Sequence, residues 1–117
     1  MPVSDNTILS RLANLLFICS KNQWRSPTAE ALFKNHALHR ARSAGTSSKA
    51  RIKVNERTIE WADVIFVMER KHKTILQERF PLAVKNKLLI SMNIKDDYQF
   101  MDEQLVDIIK KALTGYI

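Results

Sequence analysis

A single cysteine, Cys19, occurs in the 117 residues, and it ends an apolar run within NLLFICSKNQWRSPTAEALF, residues 14–33. Arg25 follows six residues later, and Ser26 comes directly after it. Residues of these types at this spacing suit phosphoryl transfer. A loop that leaves a strand and enters a helix points successive backbone N–H groups inward. With the positive end of the helix dipole, these form a cradle for an anion. Arg25 would close the cradle, because a planar guanidinium can hold two phosphate oxygens at once. The same field favours the thiolate of Cys19, the form of cysteine that attacks phosphorus. Ser26 can donate its hydroxyl to that sulfur and make it a better leaving group afterwards. A lone cysteine at a strand end is more often a small buried hydrophobe. The preceding strand, the Arg-Ser ending, the proline that starts a helix and the lack of a glycine-rich nucleotide loop together favour the nucleophile.

The elements that must position these residues follow from the apolar pattern. Residues 1–13 read as an arm or lead-in, and residues 14–117 as one domain. LLFIC is a short buried strand. Pro27 suits a first helical turn with Ser26 as N-cap, and Ala29, Leu32, Phe33 and His36 fall on one helix face. RARSAGT reads as a second strand ending in a turn at Gly45. NERTIEWA reads as a short helix capped by Asn55, and DVIFVM as a third strand. ERKHKTILQERF is a helix ended by Pro81, and KLLIS is a fourth strand. After the polar loop NIKDDYQFMD, Leu105, Ile108, Ile109 and Ala112 mark the face of a last helix. Alternating strands and helices predict an α/β fold, a three-layer αβα arrangement around a central four-stranded parallel sheet. Ligands of such sheets bind beyond the carboxyl ends of the strands, where both the Cys19 loop and the NIKDDY loop emerge.

Composition sets the outer bounds. The chain is 45% hydrophobic and 26% charged, which suits a folded globular domain. Its apolar runs are far shorter than the roughly 20 residues of a membrane-crossing helix. Asp5, Arg11 and Asn14 spoil a signal peptide. One cysteine allows no internal disulfide, so a cytoplasmic location is expected. The net charge of +7 attracts phosphates, but the basic residues are spread along the chain in short clusters such as ERKHK. No ribonucleoprotein or helix-turn-helix signal accompanies that charge, so nucleic acid is not expected as a partner, nor is a membrane. His36, His39 and His72 lack metal-ligand spacing and read as surface or packing residues, so neither a metal nor another cofactor is expected.

FICSKNQWRSPTAE resembles the signature of the low-molecular-weight protein tyrosine phosphatases. RSAGT resembles the second-strand segment of that family, ADVIFVM its third strand, and IKDDY its Asp-Pro-Tyr segment. The resemblance implies a phosphomonoester hydrolase with a Cys-(five residues)-Arg-Ser phosphate loop, a phosphocysteine intermediate and no metal. In that reading Cys19 is the nucleophile and Arg25 the phosphate-binding arginine. Ser26 assists departure of the thiolate, and Asp96 is the general acid. Ser20, Lys21, Asn22, Gln23, Trp24, Arg25 and Ser26 form the phosphate cradle, and Tyr98 stands at its rim. Asn22 holds the loop's shape, and Ser43 supports it from the neighbouring strand. The sequence departs from the family at Lys21, where a glycine is usual, at Trp24, where a second cysteine is usual, and at Asp97, which replaces the proline. The stretch after SAGT is also shorter than in the family. The implied partners are a phosphorylated protein or a small phosphomonoester, with inorganic phosphate as product.

Other readings share the cradle. A phosphoserine phosphatase of the same fold would keep the chemistry. Arsenate reductases of this fold need further cysteines, which the chain lacks, and phosphocysteine carrier domains have no need of the Arg-Ser ending. A non-catalytic protein that binds phosphate, a phosphoprotein or nucleic acid would use the cradle and the positive charge alone.

Overall fold

The computed structural model describes residues 12–116. Of the lead-in expected over residues 1–13, only Leu12 and Ala13 fall within the described residues. The elements are β1 (Asn14–Cys19), α1 (Arg25–Leu32), β2 (Arg40–Gly45), α2 (Glu56–Trp61), β3 (Val64–Val67), α3 (Arg70–Arg79), α4 (Pro81–Val84), β4 (Leu88–Ser91) and α5 (Glu103–Leu113). The strands form one four-stranded sheet in the order β2-β1-β3-β4, and every pair is parallel.

The alternation of side chains along β1 divides the core. Leu15, Phe17 and Cys19 face the side where Ala29 of α1 and Leu105, Ile109 and Leu113 of α5 pack. Leu16 and Ile18 face Ile59 of α2, Leu76 of α3 and Val84 of α4. The first face is braced by stacked rings, with Phe17 centred 5.7 Å from Phe33 and 5.4 Å from Phe66. Both faces of the sheet are thus covered, as an all-parallel sheet requires.

The chain runs from β1 outward to β2, then crosses back past β1 to β3. Consecutive connections therefore leave β1 in opposite directions. This opens a crevice beyond the carboxyl ends of β1 and β3. Cys19, the last residue of β1, stands at that crevice.

Two local expectations are corrected, and the helix stop at Pro81 is refined. Helix α1 begins at Arg25 with Trp24 as its N-cap, and no side chain caps it. Ser26 lies inside the helix, fully buried, and its hydroxyl turns to the sulfur of Cys19 instead. The same helix stops at Leu32 because Asn35 takes a left-handed backbone, φ 63°. His36 therefore leaves the expected face, lies tilted against Phe33 and stacks on His39, with ring centroids 5.0 Å and 5.2 Å away. Finally, α3 ends at Arg79 with Phe80 as C-cap, and Pro81 opens α4. A proline lacks the N–H that a first turn would leave unused, so it starts the next helix as readily as it stops the last.

The burial of α5 on the Cys19 face can be tested. Ile109 is fully buried between that helix and the sheet. Ile109→Ala should destabilise the fold by about 2–5 kcal/mol through lost burial and a residual cavity. Urea unfolding would show this as a lower midpoint at unchanged slope. A midpoint equal to the parent's would contradict the packing described.

Candidate active site

The loop after β1 is held by the segment that follows β2. Thr46 N–H donates to the Cys19 carbonyl at 3.0 Å, Ser47 N–H to that of Ser20 at 2.9 Å, and Arg51 N–H to that of Lys21 at 3.0 Å. Arg51 Nε donates to the Asn22 carbonyl at 3.1 Å. Four consecutive carbonyls are therefore drawn to one side by residues 46–51. In a trans peptide unit the N–H points opposite the carbonyl. The amides of Ser20, Lys21, Asn22 and Gln23 consequently face away from this strap, which is the condition for an anion nest. The Asn22 N–H donates to Cys19 Sγ at 3.2 Å. Asn22 itself is left-handed, φ 56°, a conformation asparagine tolerates.

The strap can come this close because residue 45 has no side chain. A Cβ on Gly45 would stand 2.4 Å from the Ser20 carbonyl oxygen, 2.7 Å from Ala50 Cβ and 3.0 Å from the Asn22 nitrogen. The turn noted at Gly45 is thus a close backbone approach as well.

Around the sulfur, the side-chain protons can be allocated. Asn22 Nδ2 donates to Ser26 Oγ at 2.8 Å and to Ser43 Oγ at 2.9 Å. Each hydroxyl then accepts from the amide and has one proton to give. Ser43 gives its proton to Glu30 Oε1 at 2.5 Å. Ser26 Oγ lies 2.9 Å from Cys19 Sγ and 3.5 Å from the Ala44 carbonyl, so the shorter contact directs its proton to the sulfur.

Arg25 is buried at the mouth of the loop, with 2% of its surface exposed. Its Nη1 donates to Glu69 Oε2 at 2.5 Å and to the Ile94 carbonyl at 2.8 Å. Its Nε lies 3.5 Å from Asp96 Oδ1. Burial works to raise the Glu69 carboxyl, but the hydrogen bond and charge of Arg25, helped by Lys71 and His72, hold it below the ordinary carboxylate value. Next to it, the Glu69 N–H donates to His72 Nδ1 at 3.1 Å. The proton of a neutral His72 must then sit on Nε2, which donates to Ser20 Oγ at 2.9 Å. Burial first, then the charges of Arg25 and Lys71, push His72 down to about 4, against the opposing pull of Glu69 and Asp96.

A depression of about 90 Å³ opens above the sulfur, lined by Cys19, Lys21, Gln23, Trp24, Arg25 and Asp96. The other residues expected at the site are distributed around it. Asn22, Ser26 and Ser43 lie buried behind the sulfur, and the Ser20 hydroxyl is taken by His72. Tyr98 packs half-buried against the core cluster beneath α5 and is not among the lining residues. Asp97 is exposed and likewise does not line the depression, whereas Asp96 does.

The structure adds Glu69, His72, Arg51 and Glu30 to the residues expected from the sequence. The signal for Glu69 was its place two residues after the end of β3, at the edge where Cys19 emerges. His72 and Arg51 sit in basic runs that resemble ordinary solvated surface.

The sequence profile described as low molecular weight phosphotyrosine protein phosphatase matches residues 14–63. No curated protein matches the chain. Among solved structures, the YwlE arginine phosphatase of Geobacillus stearothermophilus is 25% identical, with a TM-score of 0.68 over 88% of this chain and 87% of that one. Vibrio vulnificus Wzb in complex with benzylphosphonate is 21% identical, with a TM-score of 0.70 over 88% and 95%. A protein tyrosine phosphatase of Entamoeba histolytica is 24% identical, with a TM-score of 0.66 over 88% and 93%. The chain is thus similar to the low-molecular-weight phosphotyrosine phosphatases in sequence over residues 14–63 and in fold over most of its length. Among the described residues no helix is long and apolar enough to cross a membrane.

Two outcomes follow from this geometry. Gly45→Ala should force the strap and the loop apart. A displacement on the order of 1 Å can cost about 10²-fold in rate, so the loss should appear in kcat/KM; a fully active variant would mean the loop does not rely on the close approach. His72 has a folded value lowered from 6.5 to about 4, so the unfolded chain takes up the proton first. Its contribution is present above pH 6.5 and is lost as pH falls toward about 4. His72→Gln, which keeps a donor for Ser20, should flatten the pH dependence of the urea midpoint across that window. An unchanged slope would assign the dependence to other groups.

Proposed function

We propose that the protein hydrolyses phosphotyrosine in proteins through a phosphocysteine intermediate. The observation that carries this reading is the proton allocation at Cys19: a backbone N–H and the Ser26 hydroxyl both point at the sulfur, and Asn22 fixes the direction of the latter. Two donors aimed at one sulfur suit its use as a nucleophile and later a leaving group, and would serve little purpose around an inert thiol.

In the first step the Cys19 thiolate attacks phosphorus, the S–P bond forms and the P–O bond to the leaving group breaks. Asp96 gives its proton to the leaving oxygen. The inward amides of the loop and the Arg25 guanidinium hold the remaining phosphate oxygens, where charge develops. In the second step Asp96 takes a proton from water, water attacks phosphorus and the S–P bond breaks. Inorganic phosphate leaves, and Ser26 donates to the returning thiolate. Glu69 keeps the guanidinium aimed throughout.

The mouth favours an aryl phosphate. Trp24 is 41% exposed beside the depression and offers a flat apolar face to a phenol ring. Cys19 is only 3% exposed, so a long flat side chain reaches it more readily than the short stem of phosphoserine. Lys21 at the rim disfavours the cationic group of phosphoarginine, the substrate class for which YwlE is named. A single cysteine without an internal disulfide partner suits action in the reducing cytoplasm.

Matched peptides carrying phosphotyrosine, phosphoserine or phosphoarginine test the substrate, with Cys19→Ser as the blank. Turnover should be greatest for phosphotyrosine and absent from Cys19→Ser, which should still bind phosphate. Preference for either other peptide would reassign the substrate, and turnover surviving in Cys19→Ser would remove the mechanism. The acid is tested separately with phenyl phosphates of graded leaving-group acidity. Asp96→Asn should slow the most basic leaving groups by about 10²–10⁴-fold and acidic ones far less. Asp97→Asn should behave as the parent; the reverse pattern would transfer the role to Asp97.

A further inference from the structure

A groove of about 600 Å³ lies beside the depression, and Gln23 lines both. Pro27 and Ala31 of α1 form part of its floor, and Lys34, Arg51 and Phe100 stand along it. We infer that this groove is a substrate subsite, which receives an acidic residue of the polypeptide next to its phosphotyrosine.

The inference rests on the phosphatase reading above and extends it with independent observations. The first is continuity. Gln23 lines both the depression and the groove, so a residue next to one seated over Cys19 has a direct path into the groove. The second is charge. Lys34 and Arg51 both line the groove. Its one carboxylate, Glu30, already accepts the proton of Ser43 Oγ. Arg51 is fixed in place by its Nε bond to the Asn22 carbonyl, so a positive group is presented without first having to be ordered.

The third observation is the way Phe100 is displayed. It is 53% exposed, and it is followed by Met101 in the left-handed region, φ 61°. Methionine has no side-chain group to relieve that conformation locally. The Met101 N–H is held by Thr28 Oγ1 of α1 at 2.9 Å, and Thr28 Oγ1 in turn donates to the Trp24 carbonyl at 2.6 Å. A strained residue is thus tied through one hydroxyl to the end of the phosphate loop, and it leaves Phe100 on the groove. Strain held in this way is more economically explained by contact with a ligand than by folding alone. The groove therefore offers an apolar wall from Phe100 and cations from Lys34 and Arg51, which fits an acidic peptide segment and disfavours a basic one.

The test uses phosphotyrosine peptides of neutral background, with a glutamate placed at successive positions on either side, and an aryl phosphate too small to reach the groove. The parent enzyme should prefer glutamate on one side of the phosphotyrosine. Lys34→Glu should lower kcat/KM for that peptide by about fivefold, the scale of an exposed ion pair reversed in sign. It should leave the aryl phosphate unchanged and raise turnover of the matching lysine peptide. Phe100→Ser should reduce all peptides on that side and spare the aryl phosphate. Cys19-dependent turnover of the aryl phosphate with no response to flanking charge, or with a response that Lys34→Glu does not move, overturns the groove and leaves the phosphatase reading standing. No Cys19-dependent turnover of any substrate overturns both. A dimer in solution that Phe100→Ser disperses, with no effect of peptide charge, gives the groove to a second copy of the chain and likewise overturns the proposal.

Discussion

The site depends on the direction of a few carbonyl groups. Between Cys19 and Asn22 the backbone would by default offer oxygen as well as N–H to whatever enters the crevice. Residues 46–51 remove the oxygens by bonding each of them in turn. What remains facing the sulfur is a run of amides, a fixed positive potential that needs no side chain and no reorganisation. The parallel register makes this possible. Cys19 and Gly45 are partners across β1 and β2, so the segment leaving β2 starts level with the loop leaving β1. Only a residue without a Cβ at that level lets the two segments meet.

A buried guanidinium must be compensated, because removing one partner of a buried pair costs several kcal/mol. Arg25 is compensated from two directions. Glu69 comes from the end of β3, and the Ile94 carbonyl and Asp96 come from the loop after β4. With the loop after β1 and the strap after β2, all four strands deliver something to one edge. The arrangement also explains why Glu69 can serve without competing for the anion's place. It binds Nη1, while Nε faces Asp96 at 3.5 Å, beyond hydrogen-bond length. That Nε is a buried donor without a hydrogen-bond partner, a group that still has a bond to give.

What could be read from the sequence was the chemistry confined to one loop. Cys19, Arg25 and Ser26 lie within eight consecutive residues, so their meeting needs only a strand before them and a helix after. β1 and β3 were legible because both their faces are apolar, and α5 because its apolar spacing is regular. The partners that come from other loops were not. Glu69 sits in ERKHK, where a charge run ordinarily means solvent. Its meeting with Arg25 depends on β3 lying next to β1, a fact of strand order rather than of local pattern. Ser26 shows the opposite failure. Serine before proline carries the signal of an N-cap, but the helix already starts one residue earlier, and a cap hydroxyl and a sulfur-directed hydroxyl look alike in sequence. Tyr98 is half-buried and packs against the core cluster that includes residues of α5, and an aromatic in a polar loop gives no local sign of which way its ring turns.

The short connection between β2 and α2 bears on both stability and recognition. Residues 46–51 are occupied in holding the phosphate loop, and Gly45 pairs on to Ile52 and Val54. Little of that segment is left over to rise beside the mouth as a wall. The side chains beside the depression therefore come from rigid elements nearby. Those elements are the loop itself, which presents Lys21 and Trp24, and α1, whose first turn is fixed to the loop through the Thr28–Trp24 bond. The same hydrogen bonds that turn the loop amides toward Cys19 therefore also fix the side chains that flank the depression.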